Sequence, residues 1–71
     1  MVDTMLLRKK ILEKNTNVAE VACKMGIDKA TLYRRIANSD TFTIGEVGKL
    51  VEALNLTHRE AVSIFFNSDV A

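Results

Sequence analysis

Residues 18–36 read VAEVACKMGIDKATLYRRI, and this stretch of the chain decides the fold. Its first half repeats apolar residues at the spacing of one helix face, at Val18, Val21, Ala22 and Met25. Gly26 interrupts the repeat, and glycine adopts the left-handed conformation that ends a helix at little cost. Asp28 is then placed to cap a second apolar repeat. The sequence therefore predicts two short helices joined by a tight turn.

Further cap signals divide the rest of the chain. A side-chain oxygen that accepts from a free backbone N–H, followed three residues later by a glutamate, indicates a capping box. Three such pairs are present: Asn17 with Glu20, Thr43 with Glu46, and Thr57 with Glu60. With a first helix expected from residue 3 or 4 to residue 14, these signals predict five helices and an all-α fold.

The apolar positions of the predicted helices give the expected core. Leu7 and Ile11 face inward from helix 1, and Leu32 and Ile36 face inward from helix 3. Helix 4 is expected to present one apolar face, formed by Ile44, Val47, Leu50, Val51 and Leu54. Phe42 is expected to anchor the polar loop of residues 37–41 against this core.

Composition narrows the class of protein. A chain of 71 residues with 48% hydrophobic residues, three glycines and no proline suits one small helical domain covering residues 1–71. The single cysteine, Cys23, excludes an internal disulfide framework and fits a reducing cytoplasm. No apolar run approaches the roughly 18 residues that span a bilayer, so no membrane association is expected.

Charge is unevenly distributed along the chain. Residues 1–38 carry eight lysines and arginines against four acids, a net of +4, and residues 39–71 carry two against five, a net of −3. Such asymmetry suits a protein that meets an anion on one face, although solvated helix faces also produce it.

The glycine and its neighbours fit the spacing of a helix-turn-helix motif over residues 17–37. When Val18 is counted as the first position, Ala22 is the fifth, where the second helix crosses closely, and Gly26 is the ninth. The apolar residues at the tenth, fifteenth and nineteenth positions, which lock the two helices together, are Ile27, Leu32 and Ile36. Plain helical hairpins share part of this pattern.

Longer segments resemble one family. TLYRRIANSDTFTIGEV (31–47), LVEALNL (50–56) and SIFF (63–66) are similar to segments of the Cro/phage-repressor (XRE-type) helix-turn-helix family, especially small phage-type regulators of Gram-positive bacteria. The resemblance runs from about Leu7 to Phe66. It implies a five-helix, lambda-repressor-like DNA-binding domain. The chain departs from the family pattern at Val18, where many members have Gln, and at Arg35, where an apolar residue is common.

The resemblance implies that helix 3 lies in the major groove of DNA. Its outward residues, the expected base contacts, are then Lys29, Ala30, Tyr33 and Arg34. Arg34 has the donor geometry for a bidentate bond to guanine. Phosphate contacts are expected from helix N-termini, hydroxyls and flanking cations. These residues are Asn17, Val18, Lys24, Thr31, Arg35, Thr41 and Thr43.

Proteins of this type usually pair about a two-fold axis, so segment 57–71 is the expected dimerisation segment. Ile64, Phe65 and Phe66 are consecutive, and one helix cannot bury all three in a small core. The expected dimer interface consists of Val62, Phe65 and Phe66, with Val70 as a further candidate. The alternative is that the C-terminal residues fold back and cover these side chains.

An enzyme is not expected, because His58 is the only histidine and has no evident nucleophile or metal-ligand partner. No cofactor, metal or small-molecule ligand is indicated. The resemblance favours a homodimeric phage or prophage transcriptional regulator, repressor or Cro-like, that binds an inverted-repeat operator. It would act in the bacterial cytoplasm, at the nucleoid. The alternative is a protein-interaction module, such as an antirepressor or antitoxin-like subunit, built on the same helices.

Overall fold

A computed structural model describes residues 2–38 and 41–66, which form five α-helices and, within those residues, no strand. The helices are α1 (Thr4–Glu13), α2 (Val18–Met25), α3 (Lys29–Ala37), α4 (Ile44–Leu54) and α5 (His58–Phe65). The all-α, five-helix prediction is confirmed. The helices begin and end within about one residue of the positions expected from the cap signals.

Within residues 2–38 and 41–66, three left-handed residues follow α1, α2 and α4. Gly26, with φ of 76°, ends α2, and the N–H of the next residue, Ile27, donates to the carbonyl of Ala22 at 3.0 Å. Asn15 (φ 57°) and Asn55 (φ 52°) follow α1 and α4 in the same conformation. Because asparagine tolerates this region better than most residues, it can replace glycine at two of the three turns.

The caps follow the predicted sites, with two differences. Complete capping boxes are formed at the starts of α4 and α5 by Thr43 and Thr57. At α2, Asn17 accepts from the Glu20 N–H, but the Glu20 carboxylate accepts from the Asn17 side-chain amide, so the reciprocal backbone bond of a capping box is missing. Asp28 occupies the cap position of α3, yet its side chain makes no capping hydrogen bond.

The core is built from the predicted inward faces. The largest fully buried side chains are Leu7, Val21, Leu32, Leu50 and Ile64, one from each helix. Burying each such side chain stabilises the fold by about 1.5–3 kcal/mol. α2 packs against both α3 and α4, and α1 packs against α5. This arrangement holds α3 at the side of the molecule, with its second face open to solvent.

Two core expectations need correction. Ile44 is 93% exposed, because it lies in the first turn of α4, beyond the end of the layer on which the rest of that helix packs. Phe65 is 6% exposed and belongs to the core, where its ring meets that of Phe42 edge-on at a centroid distance of 6.2 Å. Phe42 therefore anchors its loop, as predicted.

Candidate nucleic-acid interface

The outer face of α3 carries the four residues expected to contact bases. Lys29, Ala30, Tyr33 and Arg34 are all exposed, and Tyr33 has 54% of its surface accessible. Leu32 and Ile36 lie on the opposite face of this amphipathic helix and are buried. Their burial therefore turns the four exposed residues toward solvent. The face is therefore available to a partner as large as a DNA duplex.

Arg34 is held in place by a neighbour on the same helix. Its guanidinium donates to the hydroxyl of Thr31, one turn earlier, at 3.2 Å. One guanidinium nitrogen is used, and the remaining donors stay directed to solvent. Thr31, expected to contact phosphate, is thus first a support for Arg34.

Arg35 has a different environment from the one expected of a phosphate clamp. Its Nε donates to both carboxylate oxygens of Glu46, at 3.0 and 3.1 Å. Glu46 also accepts from the Thr43 backbone N–H at 3.0 Å. The hydrogen bond from Arg35, followed by that from Thr43, lowers the pKa of Glu46 below its ordinary value. Arg35 therefore ties α3 to the start of α4 through its Nε, and the expected phosphate contact stays a prediction.

Three of the other expected phosphate contacts, Asn17, Thr41 and Thr43, are exposed but already engaged in local hydrogen bonds. The Asn17 amide is used by Glu20 through both its oxygen and its nitrogen. The Thr41 hydroxyl donates to the Asn38 carbonyl at 2.7 Å, and the Thr43 hydroxyl accepts from the Glu46 N–H. The first backbone N–H groups of α2 and α4 have no partner within their own helix. These positions can therefore still bind an anion through the backbone.

The basic residues fall into two groups. Lys24, Lys29 and Arg34 form no ion pair among the residues described. Lys10 and Lys14 of α1 instead contact the Glu60 carboxylate of α5, at 3.1 and 3.5 Å.

The pKa values of the second group follow from these bonds. The Thr57 backbone N–H and then Lys10 lower the pKa of Glu60 to about 2. Glu60 in turn raises the pKa of Lys10. No local pattern predicts these pairs, since their members lie far apart along the chain.

The expected dimer surface is partly present. Val62 is 39% exposed and Phe66 68% exposed, whereas Phe65 is buried and is not available to a partner. Phe66 and Ile44 border a groove of about 170 Å³ whose walls include Val2, Phe42 and Val47. Val70 and the rest of residues 67–71 lie outside the described residues.

Two features of other protein classes are absent from residues 2–38 and 41–66. No helix there has the length and apolarity needed to cross a bilayer. No three histidine, cysteine or acidic side chains in residues 2–38 and 41–66 are grouped closely enough to hold a metal ion.

A glycine turn that joins a buried helix to an exposed basic one, inside five packed helices, defines a helix-turn-helix DNA-binding domain. Residues 7–60 match the family model described as Helix-turn-helix (HTH_3), which is of the XRE/Cro–C1 type, and the chain belongs to that family. It is a DNA-binding helix-turn-helix regulator, of a family that is typically non-enzymatic. No curated protein and no solved structure matches the chain.

Proposed function

We propose that the protein is a phage- or prophage-type transcriptional regulator, repressor or Cro-like, whose α3 reads the major groove of an operator. The observation that carries this proposal is the outer face of α3, where Lys29, Tyr33 and Arg34 are exposed and free of ion pairs among the described residues. Arg34, oriented by Thr31, has the donors for a bidentate bond to guanine O6 and N7.

We further propose that the working form is a homodimer on an inverted repeat. One α3 covers only a few base pairs, so two copies related by a two-fold axis are needed for a site of useful length. Phe66, Val62 and Ile44 supply an apolar surface without a partner in the described chain. Ile44 directly follows Thr43, so this surface borders the edge of the proposed DNA contact. Pairing there would place both α3 helices near one duplex.

Regulation would follow from occupancy. A dimer seated on an operator that overlaps a promoter blocks the polymerase by sterics, which is repression. Because the DNA that it would bind is the chromosome or a prophage within it, we place the protein in the bacterial cytoplasm, at the nucleoid.

The test is selection of bound sequences from random duplex DNA with the full chain, together with sedimentation equilibrium of the protein alone and with the selected duplex. We expect an inverted repeat, with half-sites about one helical turn apart, and two chains per duplex. Enrichment of a single short half-site would contradict the dimer. Negligible affinity for every duplex, even at low salt, would contradict the regulator and favour a protein-interaction module on the same fold.

A further inference from the structure

A second feature of the molecule adjoins the exposed face of α3. It is an open cleft of about 320 Å³ whose lining includes Arg8 and Leu12 of α1, Tyr33 of α3, and Asn17 and Val18 at the start of α2. Asn17 and Val18, at the start of α2, and Tyr33 belong to the surface proposed above to contact DNA. Arg8 and Leu12 extend that surface onto α1.

Two exposed side chains of this cleft, Arg8 and Leu12, have no evident role in the fold. Leu12 is 74% exposed, although Leu7 and Ile11 of the same helix are in the core. Arg8 is exposed and forms no ion pair within residues 2–38 and 41–66. Its α1 neighbour Lys10, by contrast, is bound to Glu13 and Glu60. The cleft thus offers an unpaired cation beside an uncovered apolar side chain.

We propose that this cleft holds the sugar–phosphate backbone of the DNA strand that flanks the groove entered by α3. Arg8 would bind a phosphate, and Leu12 and Tyr33 would pack against the adjoining deoxyribose. Charge complementarity supports this occupant, since a guanidinium and the N-terminal end of α2 both favour an anion. Position supports it as well, because a duplex seated on Tyr33 also covers the mouth of the cleft. The inference rests on the proposed function.

A contact with the DNA backbone predicts a specific dependence of DNA affinity on salt concentration. Losing one phosphate contact weakens binding to all sequences alike and makes the slope of log affinity against log salt shallower by about 0.9. Losing an apolar contact lowers affinity and leaves the slope unchanged. Arg8 and Leu12 should therefore differ in salt dependence, although they line the same cleft.

The experiment measures affinity by fluorescence anisotropy at several salt concentrations, for the selected duplex and for a scrambled one. The proteins are the unaltered chain, Arg8→Ala, Arg8→Lys, Leu12→Ala, and Arg59→Ala as the matched control, since Arg59 is an exposed arginine of α5. Thermal unfolding checks that each variant is folded.

We expect Arg8→Ala to bind both duplexes about tenfold more weakly at low salt, with the shallower slope. Arg8→Lys should keep the slope, and Leu12→Ala should lose affinity at constant slope. If Arg8→Ala matches Arg59→Ala while the unaltered protein still prefers its selected sequence, the cleft proposal is wrong and the proposed function stands. If the unaltered protein has no affinity for DNA, both fail.

Discussion

Lys10 and Lys14, at the end of α1, have surroundings opposite to those of Lys29 and Arg34 on α3. Lys10 and Lys14 are bound to Glu60 and join α1 to α5. Lys29 and Arg34 have no acidic partner among the described residues and face solvent. The difference shows that net charge is a poor guide to a DNA-binding surface, since the chain has an overall charge of only +1. What matters is which cations the fold leaves unneutralised, and among the described residues these include Lys29 and Arg34 on the outer face of α3.

The largest effect is expected at Arg34, which has no acidic partner among the described residues. Arg34→Ala should remove about 1–3 kcal/mol of discrimination between the selected operator and a duplex with its contacted guanine replaced. Stability should hardly change, because Arg34 is exposed and its one internal bond is to Thr31. Competition binding with the two duplexes checks the first statement, and thermal unfolding checks the second. Equal discrimination by both proteins would show that Arg34 does not read a base.

A smaller effect is expected where a cation of α3 is paired. Glu46→Gln removes the ionic partner of Arg35 and weakens the capping box at Thr43, so it should lower stability by about 1 kcal/mol. Urea unfolding measures it. Glu52→Gln is the matched control, because Glu52 is exposed on the same helix. If Glu46→Gln is as stable as the control, the Arg35–Glu46 ion pair between α3 and α4 does not contribute to stability.

The exposed side of α4 offers a stabilising change. A Cβ added at Gly48 meets no atom within 4 Å, so Gly48→Ala should raise stability by about 0.5–1 kcal/mol through the helix propensity of alanine. DNA affinity should stay the same, since no close approach of the chain to this glycine is seen. A stabilised variant that loses affinity would instead indicate that a partner approaches the α4 backbone here.

The smallest effect is expected at the paired lysines, because solvent and salt screen them. The pKa of Glu60 is lowered from 4.5 to about 2, so its contribution to stability is present above pH 4.5 and is lost as the pH falls toward 2. Glu60→Gln should flatten the dependence of stability on pH over that range. Unfolding curves between pH 2 and pH 6 for both proteins measure this. An unchanged pH profile would contradict the hydrogen bonds that the Thr57 N–H and Lys10 donate to Glu60.

Local signals predicted the fold well. The three left-handed residues and the capping threonines act within four residues of where they stand, so the sequence alone indicates where helices begin and end. The exposed face of α3 was predictable for the same reason, since Leu32 and Ile36 set its orientation.

Contacts between distant segments were not predictable. The sequence alone could not identify the partner of Arg35, because Glu46 comes near it only when the chain folds. Ile44 fits the apolar repeat of α4 but lies past the end of the layer beneath it. Phe65, and not Phe66, packs against the ring of Phe42, and this tertiary contact cannot be read from local sequence. The cleft at Arg8 likewise exists only once α1 and α3 are placed together.

The most direct measurement is a titration of the isotopically labelled full chain with the selected duplex, followed through backbone amide chemical shifts. The account predicts that the largest shifts occur in residues 28–34, with further shifts at the starts of α2 and α4. The amides in the second half of α4, around Glu52, should change little. Shifts concentrated on α1 and α5, with those of α3 unmoved, would contradict it.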